Sequence, residues 1–279
     1  MPIKRVFLPL CSDEGIDTTV KAAFVLGKMF SAQVSGLFVQ HFPVVMTNAS
    51  SAFMNAETIR RIEESVGREL AEAQKRTQGV FDEHARQAPG VETVFASGGK
   101  SIGGAVRHGA YLADISVLSG GDGSSSSTSQ GEIRDAVLFQ SGRPALVVPP
   151  NGVEERNFDK IVIAWKESVE AVRAIAAVQP FLAKASEVHL ITVGKDASAG
   201  DALKDAEQYL QLHYANIQTQ VVPPSSQNIG ETLLRHAQEK GNALLVMGAY
   251  SHWKWQERAF GGVTEDVIRN TTGPVLMAH

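Results

Sequence analysis

The chain repeats itself, and this repeat limits what it can fold into more than any other feature. The matching segments share apolar runs in the same order, and GRPALVV and TGPVLMA share a proline and a leucine at the same positions and both end in four apolar residues. Three pairs carry the repeat: KRVFLPL at 4–10 with DKIVIAW at 159–165, ADISVLSGG at 113–121 with NALLVMGAY at 242–250, and GRPALVV at 142–148 with TGPVLMA at 272–278. In this comparison Gly120 is placed opposite Gly248.

The spacing of the matches indicates two copies of one domain rather than a solenoid. Late matches lie 128–130 residues apart and early ones about 155 apart, so the first copy contains an insertion. The segment 42–88 accounts for it. We predict a first domain at 1–150, with this helical insertion, and a second domain at 151–279. PPNGVEERNF at 149–158 has the composition of a linker.

Short apolar runs in each copy predict buried strands, because strands covered on both faces are apolar almost throughout. The predicted strands are Val6–Leu10, Ala32–Val39, Glu92–Ala96, Ile115–Leu118 and Ala145–Val148, then Ile161–Trp165, Val188–Val193, Gln218–Val222, Leu244–Met247 and Val275–Ala278. Helical patterns alternate with them. The fold class is therefore α/β, with two Rossmann-like, doubly wound parallel sheets in tandem.

The predicted helices lie at 16–30, 56–88, 101–111, 168–183, 199–214, 228–240 and 261–271, with one more ending near Gln140 after a Gly/Ser loop at 119–131. Pro180 is expected to break the helix at 168–183. Ile59, Ile62, Val66 and Leu70 form an apolar stripe on the long helix. This stripe indicates core packing, and an apolar ligand under a lid at 42–54 is an alternative.

Bulk composition argues against several classes of function. The net charge is -4 and the pI about 6.1, which does not suit a protein that binds nucleic acid. No apolar stretch approaches the roughly 18 residues of a membrane span. Cys11 is the single cysteine, so a reducing, cytoplasmic compartment is the expectation.

Ligands of doubly wound sheets bind beyond the carboxyl ends of the strands, where the strand order reverses. In the second copy, Gly261 and Gly262 open a helix whose N–H groups could hold a phosphate together with Ser251, His252 and Thr264. The alternative is that both glycines only allow close helix packing. In the first copy, SGGDGSSSSTSQG at 119–131 is either an anion-binding nest or a solvated loop.

Two segments of the second copy resemble the universal stress protein family: IVIAWKESVEAVRAI and LLVMGAYSHWKWQERAFGGVTEDVIRNTTGPVLMAH. The resemblance is strong over 159–279 and weaker over 1–150. It implies domains of the adenine nucleotide alpha hydrolase-like type in an intramolecular pseudo-dimer. Their last strands, Ala145–Val148 and Val275–Ala278, are expected to pair.

The family's nucleotide-binding pattern is Gly, two residues, Gly, nine residues, Gly, then Ser or Thr. Here it reads Gly248, Ser251, Gly261, Gly262 in the second copy and Gly120, Gly123, Gly131, Glu132, two residues shorter, in the first. Cys11 and Lys166 stand where binding members carry Asp. By this resemblance the candidate ligand residues are Ala164, Lys166, Val193, Gly248, Ser251, His252, Gly261, Gly262 and Thr264, with Pro9, Cys11, Val39, Gly120, Gly121, Gly123, Ser124 and Gly131 in the first domain.

We predict a stress-response binding or regulatory module with degenerate nucleotide-binding loops. One alternative is a protein that binds ATP or another adenine nucleotide with slow or no hydrolysis. The other is a carrier of a small molecule or lipid. No catalytic residue or metal ligand is predicted, so activity beyond a weak ATPase is not expected. A homodimer and an unidentified protein partner are possible assemblies.

Overall fold

The computed structural model describes residues 2–11, 15–39, 56–98, 101–121, 128–194, 197–214, 216–224, 228–249 and 262–279. Strands and helices alternate through all of them. The strands are β1 (Arg5–Leu10), β2 (Gln33–Phe38), β3 (Thr93–Ser97), β4 (Ile115–Ser119), β5 (Ala145–Val148), β6 (Lys160–Ala164), β7 (Glu187–Val193), β8 (Ile217–Val222), β9 (Leu244–Gly248) and β10 (Val275–Ala278). The helices are α1 (Ile16–Phe30), α2 (Ala56–Arg86), α3 (Ile102–Tyr111), α4 (Thr128–Gln140), α5 (Val169–Leu182), α6 (Ala197–Gln211), α7 (Ile229–Glu239) and α8 (Gly262–Asn270).

All ten strands form one sheet in the order β3-β2-β1-β4-β5-β10-β9-β6-β7-β8. Strands are parallel within each half, and each half has the same doubly wound order. The α/β fold predicted from the sequence is confirmed.

The two halves meet through an antiparallel pairing of their last strands. Val275 lies opposite Val147, and Met277 lies opposite Ala145. This pairing was expected from the family resemblance and is present. It hides two sheet edges that would otherwise expose unpaired backbone groups.

The side chains along each strand point alternately into two core layers, one on each face of the sheet. Val6 and Leu8 point into one layer with α1 and α5, while Phe7 points into the other with α3, α4, α7 and α8. Phe30 of α1 and Phe181 of α5 join the halves in the first layer, with ring centroids 5.0 Å apart. Because the two halves pair antiparallel, the carboxyl ends of their strands lie at opposite ends of the strand direction.

Three expectations are corrected. Pro180 does not break α5, which continues to Leu182. Phe181 and Leu182 are 1% and 2% exposed, and their burial favours the continued helix even though proline removes a helix hydrogen bond. The loop predicted at 119–131 ends earlier, because α4 begins at Thr128 and includes Gly131. The predicted linker contains a 3-10 helix at Glu155–Phe158, with Phe158 buried in the core.

Helix α2 is 31 residues long, about 46 Å at 1.5 Å per residue. The strand before it, β2, has six residues and spans about 20 Å. The length of α2 exceeds what the sheet can cover, so the helix extends beyond it. Among the described residues, no helix combines the length and the apolar character needed to cross a membrane.

Candidate ligand crevices at the carboxyl ends of the strands

Each half has one position where neighbouring strands lead to helices on opposite faces of the sheet. In the first half this position lies between β1 and β4, which pair only at Val6–Ile115 and Phe7–Ser116. In the second half it lies between β6 and β9, which pair from Ile161–Leu244 to Ile163–Val246. Beyond these pairs the strands separate toward their carboxyl ends. Such crevices are the usual ligand sites of doubly wound sheets.

In the second half, the predicted strand-end residues lie around this crevice. Ala164 ends β6, Val193 ends β7 and Gly248 ends β9. Ala164 and Val193 are half-buried against the core. Lys166 is exposed on the loop between β6 and α5.

Gly248 makes room for a helix. A Cβ atom at this position would lie 2.7 Å from the amide nitrogen of Ala171 and 2.8 Å from the carbonyl carbon of Glu170. Both atoms belong to the first turn of α5, which Ser168 caps by accepting a hydrogen bond from the Ala171 N–H. The start of α5 therefore occupies the space beside Gly248.

The rest of the predicted phosphate loop is described only at its end. Gly262 is the first residue of α8 and is exposed, and among the described residues outside its own helix no atom lies within 4 Å of the place where a Cβ would stand. Thr264 is 4% exposed, so its side chain is buried. Ser251, His252 and Gly261 lie outside the described residues.

In the first half, the predicted strand-end residues are mostly part of the core. Pro9 is buried within β1 opposite Leu37. Val39 is 2% exposed, and its N–H donates to the Leu10 carbonyl. Cys11 is half-buried against the same core layer. Gly123 and Ser124, like the predicted lid at 42–54, lie outside the described residues.

Gly120 and Gly121 lie at the seam between the two halves. A Cβ on Gly120 would lie 2.9 Å from Val147 and 3.1 Å from the carbonyl oxygen of Ile268 on α8. The N–H of Gly121 donates to that same oxygen at 2.9 Å. Gly121 also has a φ of 125°, which favours glycine. Both glycines thus allow the second half to approach closely.

The register of the strands corrects one sequence match. Ser119 pairs with Val148, and Gly248 pairs with Ala278, the residue equivalent to Val148. Ser119, and not Gly120, therefore stands opposite Gly248. The two nine-residue segments compared end to end, 113–121 and 242–250, also place Ser119 opposite Gly248, so the sequence match was offset by one residue.

A carboxylate occupies the N-terminus of α3. The Gly103 N–H donates to Glu132 Oε1 at 2.9 Å, while Ser101 caps the same helix by accepting from the Gly104 N–H. Glu132 follows Gly131 on α4. A negative charge at a helix N-terminus is favourable, so Glu132 fills a position where an external anion could otherwise bind.

The second half lacks this acid. The last strands of the two halves, β5 and β10, begin at Ala145 and Val275, so equivalent residues lie 130 positions apart in this region. The residue equivalent to Glu132 is therefore Gly262. Instead, Asp266 on α8 accepts a hydrogen bond at 2.9 Å from Asn228, the residue that caps α7.

A groove that the sequence did not indicate lies along the first turns of α5. Its volume is about 540 Å³, and its lining is mostly apolar. Trp165, Glu167, Ser168, Val169, Val172 and Arg173 line it. Exposed valines at i and i+3 of a predicted amphipathic helix were the signal that could have identified it.

Polar groups also cluster at the amino ends of β6 and β7, away from the crevices. Glu187 lies 2.9 Å from Lys160 and 2.6 Å from His189. Hydrogen bonds from Lys160, and then from His189, lower the pKa of Glu187. In the described part of the chain, no group of three or more His, Cys, Asp or Glu side chains is arranged to bind a metal ion.

The model of the universal stress protein family matches residues 157–279, the second half from its 3-10 helix onward. Residues 157–279 therefore form a domain that matches the universal stress protein family. A universal stress protein of Synechocystis is 25% identical over an alignment 174 residues long, which covers 58% of this chain and 57% of that relative. The match thus spans little more than half of the relative's length.

Two solved structures cover both halves. A universal stress protein from Archaeoglobus fulgidus is similar over 98% of this chain and 97% of its own, with 17% identity and a TM-score of 0.70. A functionally unknown protein from Pseudomonas aeruginosa is similar over 99% of this chain and 92% of its own, with 13% identity and a TM-score of 0.57. At these identities the similarity establishes the fold.

Proposed function

We propose that this universal stress protein is a binding and regulatory module of the cytoplasmic stress response, and that it does not bind ATP through the family's glycine loop. The observation that carries the proposal is the contact between Gly248 and the first turn of α5. The backbone of Ala171 and Glu170 lies where a Cβ of residue 248 would stand, so this glycine serves the packing of α5.

The first half supports the same conclusion. Gly120 and Gly121 contact Val147 and Ile268 at the seam. Glu132 places a carboxylate at the N-terminus of α3, where it would repel a phosphate. Among the described residues, these contacts do not favour a triphosphate bound in the manner of the family, and we assign no hydrolytic step to this chain.

We further propose that the two halves act as one pseudo-dimeric unit. The paired last strands, the contact between Phe30 and Phe181, and the Arg134–Glu265 ion pair at 3.3 Å support this proposal. A signal that reaches one half would be transmitted through this seam to a protein partner.

One observation favours a second function, the binding of an adenine nucleotide with slow or no hydrolysis in the second half. Gly262 is exposed at the N-terminus of α8, where free N–H groups attract anions. Lys166 is an exposed cation that follows β6, one of the strands bordering the crevice. This mode would hold phosphate without using Gly248.

The experiment is to denature freshly purified protein and identify the released small molecules by chromatography and mass spectrometry. We expect no stoichiometric nucleotide. Stoichiometric ATP, ADP or another adenine nucleotide would overturn the proposal in favour of the second function. A released lipid or other apolar molecule would favour the carrier alternative.

A further inference from the structure

Strand β8 is an open edge of the sheet. It stands at one end of the strand order, and its pairing with β7 runs from Val188–Ile217 to Val193–Val222. Within the described residues, no strand pairs with its other side. An edge strand presents unpaired backbone N–H and C=O groups, which can pair with another chain.

The register of β8 shows which backbone groups face outward. The Gly194 N–H donates to the Val222 carbonyl oxygen at 3.1 Å, so the backbone of Val222 faces β7. Successive residues of a strand direct their backbone groups to opposite sides. Those of Ile217, Thr219 and Val221 therefore face away from β7. In the described part of the structure, no other backbone group pairs with these three residues.

The two faces of β8 are open as well. Gln218 pairs with His189, whose ring lies beside a ring of α7, so Gln218 and Gln220 lie on the α7 face of the sheet. α7 packs on β6, β7 and β9, and both glutamines are exposed. On the opposite face, Thr219 and Val221 are exposed although α6 packs on β7 and β8. An added strand would therefore find both faces accessible.

The first half protects its equivalent edge strand, β3. Glu92 precedes β3 and accepts a hydrogen bond at 2.6 Å from Gln33, which in turn accepts one from Arg5. Helix α2 packs along the strand, with the rings of Phe81 and Phe95 5.2 Å apart. Charged side chains and a covering helix are two means by which proteins prevent pairing at a sheet edge.

The edge at β8 lacks both kinds of protection. From Gln208 to Gly230 the chain contains no Asp, Glu, Lys or Arg, although these residues make up 20% of the whole. Within β8 there is no proline, and Pro223 follows its last residue. Helix α6 has 15 residues where α2 has 31. Apolar side chains are exposed nearby, with Leu212 at 80% and Val221 at 36%. The edge is thus an uncharged template for another strand.

We propose that the free edge of β8 binds an extended segment of a partner protein, which joins the sheet as an additional strand. The backbone groups of Ile217, Thr219 and Val221 would pair with the backbone of that segment. Its side chains would lie beside Thr219 and Val221 on one face and beside Gln218 and Gln220 on the other. A proline-free, uncharged segment rich in β-branched residues fits this surface.

This inference rests on the proposed function as a binding module, and it names the kind of partner. The two can fail separately. The analysis of released small molecules tests the proposed function and does not involve β8. A β8 edge that binds no peptide would leave the result of that experiment unchanged.

The first test selects binders from a library of random peptides displayed on phage and measures their Kd by fluorescence anisotropy. T219P removes an outward N–H and spares the pairing with β7, so we expect binding to weaken about tenfold or more. The control is T93P on β3. The Glu92 carbonyl accepts from Val34, so the Thr93 N–H also faces outward. T93P should bind like wild type. Failure to select a peptide, or an equal Kd for wild type and T219P, would overturn the proposal.

Methylation of the peptide backbone distinguishes strand addition from side-chain docking. Each backbone nitrogen of a selected peptide is methylated in turn. We expect binding to fall at alternate positions, because every second N–H of an added strand faces β8. A loss without this alternation would contradict strand addition.

Amide hydrogen exchange of the wild-type protein, followed by NMR, covers the case in which T219P does not fold. The selected peptide should slow exchange at Thr219 and Val221 and leave Phe95 on β3 unchanged. Unchanged exchange at Thr219 and Val221 would overturn the proposal. Light scattering provides the last control. Self-association that T219P abolishes would assign the edge to a second copy of the chain and not to a partner protein.

Discussion

The guanidinium group of Arg134 lies 3.3 Å from the carboxylate of Glu265, joining α4 of the first half to α8 of the second. The two side chains are 24% and 20% exposed. Arg134 Nε and Glu265 Oε2 are buried, and in the described part of the structure they have no hydrogen-bond partner. The seam thus combines apolar packing with an ion pair whose hydrogen-bonding groups are only partly paired.

Removing one partner of this pair should destabilise the protein. For R134M we expect the free energy of unfolding to fall by about 1–3 kcal/mol, because Glu265 keeps its charge in a mostly buried position. R134M/E265Q should lose less than the sum of the single variants. Urea unfolding measures each value, with R107M as the control, because Arg107 is exposed on α3. Strict additivity would contradict the coupling.

The role of Gly248 can be tested by adding one methyl group. G248A should lower the free energy of unfolding by about 1–3 kcal/mol, because the new Cβ would lie 2.7 Å from the backbone of α5. G262A is the matched control, since no described atom outside its own helix lies within 4 Å of the place where its Cβ would stand. We expect a change within about 1 kcal/mol for it. Equal stability of the two variants would show that α5 does not depend on Gly248.

His236 should make stability depend on pH. Burial lowers its pKa, and the neighbouring His189 and Lys240 lower it further, against Glu239. Its ring lies 6.1 Å from that of His189, which contacts Glu187, and Glu187 also pairs with Lys160 and lies near Lys240. The unfolded chain therefore binds a proton at higher pH than the folded protein does.

The free energy of unfolding should consequently fall as the pH drops below about 6.5, the ordinary pKa of histidine. H236Q cannot take up this proton and should show a flatter profile over the same range. Urea unfolding at a series of pH values measures the slopes. Parallel profiles for wild type and H236Q would rule out this residue as the source.

Glu132 should stabilise α3 through its charge. E132Q removes the charge next to the Gly103 N–H, and we expect a loss of about 0.3–1 kcal/mol at low salt, shrinking as salt is added. E69Q removes an exposed acid from within α2 and should have little effect. A loss for E132Q that does not change with salt would point to packing and not to the helix dipole.

Much of the fold could be predicted from periodicity, because buried parallel strands leave near-continuous apolar runs. Val275–Ala278 and Ala145–Val148 were predicted with their observed bounds. Pro180 shows the limit of such local rules. The burial of Phe181 and Leu182 is a tertiary effect, and it overrides the preference of proline.

The candidate site was less predictable, because one residue type serves two purposes. Glycine allows a ligand to approach the backbone, and it equally allows a helix to approach. Gly248 and Gly120 contact protein atoms that are far away in sequence, so only the assembled fold shows which purpose they serve. Glu132 was recognised as an unexpected acid, but its contact with Gly103 could not be derived from spacing.

The most direct test is the melting temperature of the wild-type protein with and without saturating Mg-ATP. A ligand that binds only the native protein at 100 times its Kd stabilises it by about 2.7 kcal/mol, which would raise the melting temperature by several degrees. With α5 filling the space at Gly248 and Glu132 at the start of α3, we predict no change. A reproducible, concentration-dependent rise would contradict this account.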